Sequence, residues 1–173
     1  MKNILICGGS GFIGSNFIRS LINNYRIINL DLLTYAASPN TLNEFNKKKN
    51  YTFIKGNIAN NKILKLIFKK YKPIYVINFA AETHVDRSID SPSEFVNTNI
   101  LGVFNLINYC MEYWKKTKKI DFKFVQVSTD EVYGSVIKGS SIESSNLAPN
   151  SPYAATKTSA DHLIISYYKT FNF

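Results

Sequence analysis

Tyr153 and Lys157 form a Tyr-x-x-x-Lys pair, and the run Ser128-Thr129-Asp130-Glu131 stands upstream of it. On a helix, a spacing of four puts tyrosine and lysine on one face, one turn apart. A phenol with an ordinary pKa near ~10 is a poor base at neutral pH, and a neighbouring ammonium favours the phenolate and lowers that value. Asp130 and Glu131 are adjacent, so on a strand they face opposite ways; in a loop both can reach neighbouring atoms of one substrate. Such a pair suits one acid and one base when their surroundings push the two pKa values apart. The plainer reading is a solvent-facing acidic pair, and Tyr-x-x-x-Lys alone arises easily in a chain with 11 Tyr and 21 Lys plus Arg. Position gives the motif its value. The doublet Ser128-Thr129 ends the fifth strand of the pattern below, and carboxyl ends of parallel strands are where open α/β sheets bind ligands.

A second constellation opens the chain. Gly8, Gly11 and Gly14 form GxxGxxG after an apolar run and before a helical pattern. In that context Gly8 permits a tight turn, Gly11 lets the backbone approach a pyrophosphate, and Gly14 allows close helix packing. The phosphates would sit at the helix N-terminus, where free N–H groups and the dipole favour anions. Asp31 follows at the end of the second strand. Its carboxylate can accept from both hydroxyls of an adenosine ribose and would repel a 2′-phosphate, which favours NAD over NADP. Gly56-Asn57-Ile58 closes the third strand, where an adenine ring should lie. Phe79-Ala80-Ala81 closes the fourth, where small side chains suit the nicotinamide half or, equally, ordinary packing.

The elements that must position these groups alternate along the chain. Strands are expected at 4–7, 26–30, 51–55, 75–79 and 122–127. Helices are expected after the glycine turn, over the stretch ending at Tyr71, at 92–116 and at 151–168. Strand 75–79 is the most uniformly apolar and is expected to be central. Residues 135–149 are polar, Ser-rich and loop-like. Strict alternation argues for an α/β fold, one parallel sheet with helices on both faces.

The 173 residues suit one domain, and 45% hydrophobic against 19% charged residues predicts a packed core. The net charge of +9 comes from lysines spread through surface-like segments, with only three arginines. A nucleic-acid footprint wants clustered Arg with interleaved aromatics, so nucleic-acid binding is disfavoured. Two cysteines and two histidines, ill-matched in context, argue against a metal site or a disulfide scaffold. The N-terminus is not a secretory signal and no run approaches a membrane span, so a cytoplasmic chain is expected.

Five blocks together carry a resemblance: GGSGFIGSNF at 8–17, DLLTYAAS at 31–38, FAAETHVDRS at 79–88, VSTDEVYG at 127–134 and NSPYAATKTSADHL at 150–163. The chain resembles the N-terminal part of the dTDP-glucose 4,6-dehydratases, which are extended short-chain dehydrogenase/reductases. The first block and Tyr-x-x-x-Lys are shared by short-chain reductases in general; the HVDRS and STDEVYG blocks are more specific. The resemblance implies a Rossmann-like domain over 1–173, incomplete after five strands, with a C-terminal nucleotide-sugar-binding region outside it. It implies NAD, a nucleotide-sugar substrate, and a homodimer through helices 92–116 and 152–169. The chain would be the catalytic part of such an enzyme, incomplete as a separate chain, or an NAD-binding module or non-catalytic fragment needing a separate C-terminal half; another nucleotide-sugar dehydratase or an epimerase are the neighbouring readings.

Residue by residue, the resemblance implies that Tyr153 takes the proton from the sugar 4-hydroxyl while hydride leaves C4. Thr129 orients that hydroxyl, and Lys157 holds the cofactor ribose and tunes Tyr153. Glu131 removes the C5 proton, Asp130 protonates the departing C6 hydroxyl, and hydride returns to C6. Phe12, Ile13, Leu32, Leu33, Thr34, Asn57, Ile58, Phe79, Ala80, Ala81, Glu82, Thr83 and Thr98 match cofactor-contacting positions, beside Gly8, Gly11, Gly14 and Asp31. Thr83 and Thr129 also match substrate contacts; no metal is implied. Cys7 stands where the family usually has Thr, Ala154 where Ser is frequent, and Asn57 where an Asp accepts from the adenine amino group. Asn57 can still accept through its amide oxygen, so a weaker cofactor contact is expected there.

Overall fold

The computed structural model describes residues 1–118 and 121–173. The chain divides into two compact units: Met1–Ala80 with Asn105–Val127, and Ala81–Phe104 with Ser128–Phe173.

The first unit is a five-stranded, all-parallel sheet in the order β3-β2-β1-β4-β5. The strands are β1 (Asn3–Cys7), β2 (Arg26–Asp31), β3 (Tyr51–Lys55), β4 (Tyr75–Asn78) and β5 (Lys123–Gln126). β1 is the middle strand, and Ile4 to Cys7 are all buried. β4 is interior but alternates in burial, so the centre falls on β1 rather than on β4. Successive side chains of a strand face opposite sides. Ile4 and Ile6 join Ile18 and Ile22 near helix α1 (Phe12–Leu21), with Ile27, Leu42, Phe45 and Tyr51 in the same cluster. Helix α2 (Asn61–Tyr71) and helix α5 (Val103–Thr117) meet through Phe68, whose ring lies 5.2 Å from Tyr109 and 4.7 Å from Tyr113. A buried aromatic of this kind contributes about 2–3 kcal/mol of transfer free energy.

Local chemistry sets the element ends. Asn60 accepts from the N–H groups of Lys62 and Ile63 and starts α2. Lys72, left-handed at φ 47°, ends it just before Pro73. The face α2 buries is Leu64, Ile67 and Phe68.

The second unit contains α3 (Val85–Asp90), α4 (Pro92–Phe95), a π-helical segment Val96–Gly102, a 3₁₀ turn Asp130–Tyr133 and α6 (Pro152–Phe171). The single helix expected at 92–116 is therefore an α–π–α run, and α3 precedes it unannounced by any long apolar period. Asn99 ties the π segment to the rest of the unit. Its buried side chain accepts from the Glu82 N–H at 2.9 Å, donates to the Glu82 carbonyl at 2.9 Å and donates to Thr156 Oγ1 at 3.0 Å. Three tertiary bonds thus converge on this one turn, and π segments are frequent at functional sites. Ser151 caps α6 by accepting from Ala154 N–H, and Pro152 occupies the first turn, as α6 was expected to begin. Among the described residues, no helix is long and apolar enough to cross a membrane.

Candidate active site

In the first unit the glycine turn is a feature of backbone geometry. Gly8 has φ +74°, and a Cβ there would lie 2.5 Å from the Ala80 nitrogen; one on Gly14 would collide with the Gly8 carbonyl oxygen. Gly14 packs the start of α1 against the turn that β1 feeds. The N-cap of α1, Gly11, supplies no side-chain acceptor, and the first turn carries no acidic residue. Its leading N–H groups and dipole are thus left for an external anion. Phe12 and Ile13 sit on that first turn with exposed side chains.

Asp31 is buried at the end of β2, and its two oxygens do different jobs. Oδ2 accepts from the Ser10 N–H at 2.8 Å, and Oδ1 accepts from the Leu33 N–H at 2.8 Å. The carboxylate therefore shapes the glycine turn and holds Leu33 in the left-handed region at φ 59°, while each oxygen keeps a further lone pair for a hydroxyl donor. Leu32 is exposed and Thr34 half-buried on the same turn. Two groups that sequence reasoning passed over complete the support. Buried Asn29 donates to Ser10 Oγ at 3.1 Å and to the Tyr51 hydroxyl at 3.0 Å. Buried Asn78 donates to Gln126 at 2.9 Å and accepts from the Ala80 N–H at 3.1 Å, placing Phe79-Ala80 at the end of β4. The available signal was an asparagine inside an otherwise apolar strand.

Asn57 is exposed beyond β3, with Ile58 buried beside it. Its Oδ1 accepts from the Ala59 N–H at 2.8 Å, so one lone pair of the expected adenine acceptor is engaged by its own turn. Cys7 is fully buried, and burial pushes its thiol well up, with Asp31 adding to the rise; it is a core side chain, not a nucleophile.

In the second unit the acid–base candidates converge on α6. Tyr153 is buried, edge-on to Phe95 at 6.3 Å, and its N–H donates to Ser88 Oγ at 3.1 Å. Thr129 caps the 3₁₀ turn by accepting from the Glu131 N–H, and its hydroxyl acts on the Tyr153 phenol in the direction that favours the phenolate. Asp130 and Glu131 are exposed on that turn. Lys157 is buried one turn along α6.

Without a cofactor, burial dominates the tyrosine. Its pKa lies above the ordinary value: burial raises it most, the Thr129 hydrogen bond pulls it down, and the charges of Glu131 and Asp130 push it up again. Lys157 shifts the other way, because burial disfavours the ammonium; Asp161, four residues on, opposes that shift. Two groups lifted out of water outweigh their expected mutual help.

Glu82 is buried with its backbone gripped by Asn99, and its Oε2 has no hydrogen-bond partner. Ala81 and Thr98 are half-buried and Thr83 exposed in the same unit. Asn99 and Ser88 escaped sequence reasoning because their partners lie far along the chain. Among the described residues, no group of three or more His, Cys, Asp or Glu is placed to hold a metal ion.

The comparisons with known proteins agree with one another. A family profile described as GDP-mannose 4,6 dehydratase matches residues 5–173. A dTDP-glucose 4,6-dehydratase of Haemophilus influenzae is 43% identical over 178 residues, covering 99% of this chain and 53% of that protein. One of Xanthomonas campestris pv. campestris (strain B100) is 41% identical over 176 residues, covering 99% and 50%. The dTDP-glucose 4,6-dehydratase structure from Streptomyces venezuelae with NAD and TYD bound superposes with a TM-score of 0.91 at 37% identity, covering 99% of this chain and 53% of that one. The UDP-glucose 4-epimerase from Brucella ovis in complex with NAD does so at 0.86 and 25%, covering 100% and 50%. The chain spans about half the length of the curated relatives it matches.

Proposed function

We propose that this chain, which belongs to the GDP-mannose 4,6 dehydratase family, carries the cofactor-binding and acid–base residues of a dTDP-glucose 4,6-dehydratase. The observation that carries the reading is the packing of the Asp130–Tyr133 turn, capped by Thr129, against α6, which brings Thr129, Asp130 and Glu131 to act on the Tyr153 phenol. An epimerase needs the tyrosine and lysine but not the acidic pair, so the pair favours elimination.

The first unit's residues fit NAD by their own chemistry: a helix start without a side-chain cap, a turn with no room for a Cβ, and a buried carboxylate with spare lone pairs. Gly8, Gly11 and Gly14 with the leading N–H groups of α1 would hold the pyrophosphate, and Asp31 the adenosine ribose. When bound, NAD supplies a hydride acceptor and donor and a positive ring whose charge favours the phenolate. Lys157 would donate to the nicotinamide ribose.

Toward the sugar, Tyr153 accepts the proton of the 4-hydroxyl, with Thr129 orienting that hydroxyl. With the C4 hydride taken up by the NAD that the first unit would hold, the resulting 4-ketone would acidify the C5–H bond, and Glu131 would remove that proton. Asp130 protonates the C6 hydroxyl, which leaves as water. Return of hydride to C6 gives the 4-keto-6-deoxy sugar. The substrate's nucleotide would be gripped in the part of the relatives that this chain does not span. Exposed apolar residues on the helices at 92–116 and 152–169, Val96, Leu101 and Phe104 with Ile165 and Tyr168, support a homodimer through those helices. We place the chain in the cytoplasm, consistent with two buried free cysteines.

The test is calorimetric titration with NAD, followed by incubation with NAD and dTDP-glucose and assay of the 4-keto product. NAD binding with a micromolar Kd is expected, and Glu131→Gln should retain oxidation at C4 while losing elimination. A folded chain that fails to bind NAD would sink this reading.

A further inference from the structure

We propose that Asp161 is a positioning residue of this site: it ties Ser128 to α6 and supplies the counter-charge for the Lys157 ammonium. The inference rests on reading Lys157 and the Thr129–Glu131 segment as functional machinery.

Tyr153, Lys157 and Asp161 recur at intervals of four, so they share one face of α6. Helix stability does not account for the aspartate. Asp is a poor former in a helix interior, and a lysine preceding an acid by four residues is the less favourable order for such a pair. Its partners lie elsewhere. Ser128 Oγ donates to Asp161 Oδ2 across 33 positions of sequence. The next residue, Thr129, reaches the same helix at Tyr153. Thr129 is extended, at φ −148° and ψ 153°, so consecutive side chains diverge. The two hydroxyls therefore meet α6 about two turns apart, at points that bracket Lys157 along the chain.

Lys157 is only 4% exposed. A buried ammonium needs a partner charge or it gives up its proton. The elements packed against α6 carry Asp86, Arg87, Asp90, Glu94, Asp130 and Glu131. Asp130 and Glu131 act on Tyr153, and Asp161, one turn along the same helix, acts on Lys157. One carboxylate thus serves two purposes: one oxygen anchors the start of the Thr129–Glu131 segment, and its charge keeps the lysine an ammonium able to donate to a hydroxyl.

Three variants of the full chain separate the two effects. Asp161→Asn keeps an acceptor for Ser128 and removes the charge; Ser128→Ala removes the tie and keeps the charge; Asp161→Glu restores the charge. The Lys157 ammonium is titrated by NMR, its signal identified by its loss in Lys157→Arg, and amide exchange is followed at Thr129–Val132. Circular dichroism establishes that each variant is folded. Asp161→Asn is expected to move the Lys157 midpoint to lower pH and to weaken NAD binding about fivefold, with little change in exchange. Ser128→Ala should leave the midpoint in place and speed exchange, and Asp161→Glu should return the midpoint toward that of the parent chain. A folded Asp161→Asn with an unmoved midpoint overturns the counter-charge, and unchanged exchange in Ser128→Ala overturns the tie. Failure of the functional reading shows up separately, as a parent chain that binds no NAD while its Lys157 midpoint still answers to Asp161.

Discussion

The glycine turn of the first unit and the acid–base cluster of the second are built on opposite principles. The turn at Gly8–Gly14 is made of backbone, and buried polar side chains (Asn29, Asp31, Asn78) serve it. The cluster at Thr129–Glu131 and Tyr153 is made of side chains presented by a capped turn and a capped helix. A site made of backbone cannot change a residue without moving the chain. A site made of side chains can lose a reactive group and keep its shape, so stability and chemistry are entangled in the first and separable in the second.

That contrast breaks first at Gly8. Gly8→Ala puts a methyl group 2.5 Å from the Ala80 nitrogen at a positive φ, and a loss of about 3–4 kcal/mol in urea unfolding is expected. Asp31→Ala should follow at about 2–3 kcal/mol, because it strands the Ser10 and Leu33 N–H groups that the carboxylate satisfies.

Lys157→Met should go the other way, stabilising the chain by about 1–2 kcal/mol at pH 7, since an apolar side chain replaces a buried charge. The sign with pH follows from the lowered folded value. Between the folded and unfolded lysine pKa the unfolded chain binds more protons, so stability of the parent chain rises with pH there. The advantage of methionine is therefore full at neutral pH and shrinks as pH climbs toward the ordinary lysine value, as thermal melts across that range would record. The smallest effect belongs to Asp130→Asn and Glu131→Gln. Both residues are exposed, so each change should stay within about 0.5 kcal/mol in unfolding while abolishing elimination. A loss of several kcal/mol there would erase the distinction between the two regions.

What the chain announces about itself follows the same divide. The five strands, the glycine turn with Asp31 and the start of α6 are legible because each is encoded locally, by apolar runs, glycine spacing and a Ser-Pro cap. The π segment is not, since the Asn99 that ties it in bonds Glu82 and Thr156, 17 and 57 positions away. The burial of Tyr153 and Lys157 is hidden for a related reason. Spacing shows that an ammonium is near but not that both groups are buried, and burial is the larger influence on each. Asp161 carries no local signal, because its partner Ser128 is brought to it by the fold.

The placement of β1 in the middle of the sheet bears on how the protein is made in a cell. β1 is synthesised first, yet one of its two neighbours, β4, pairs Tyr75 with Ile4, 71 positions later. At ordinary translation rates that is a delay of roughly 4–14 seconds. Until β4 arrives, the strand Asn3–Cys7 keeps one edge of unpaired backbone N–H and C=O groups beside the apolar side chains of Ile4 to Cys7, a natural client for a nascent-chain chaperone and the segment where misassembly would begin.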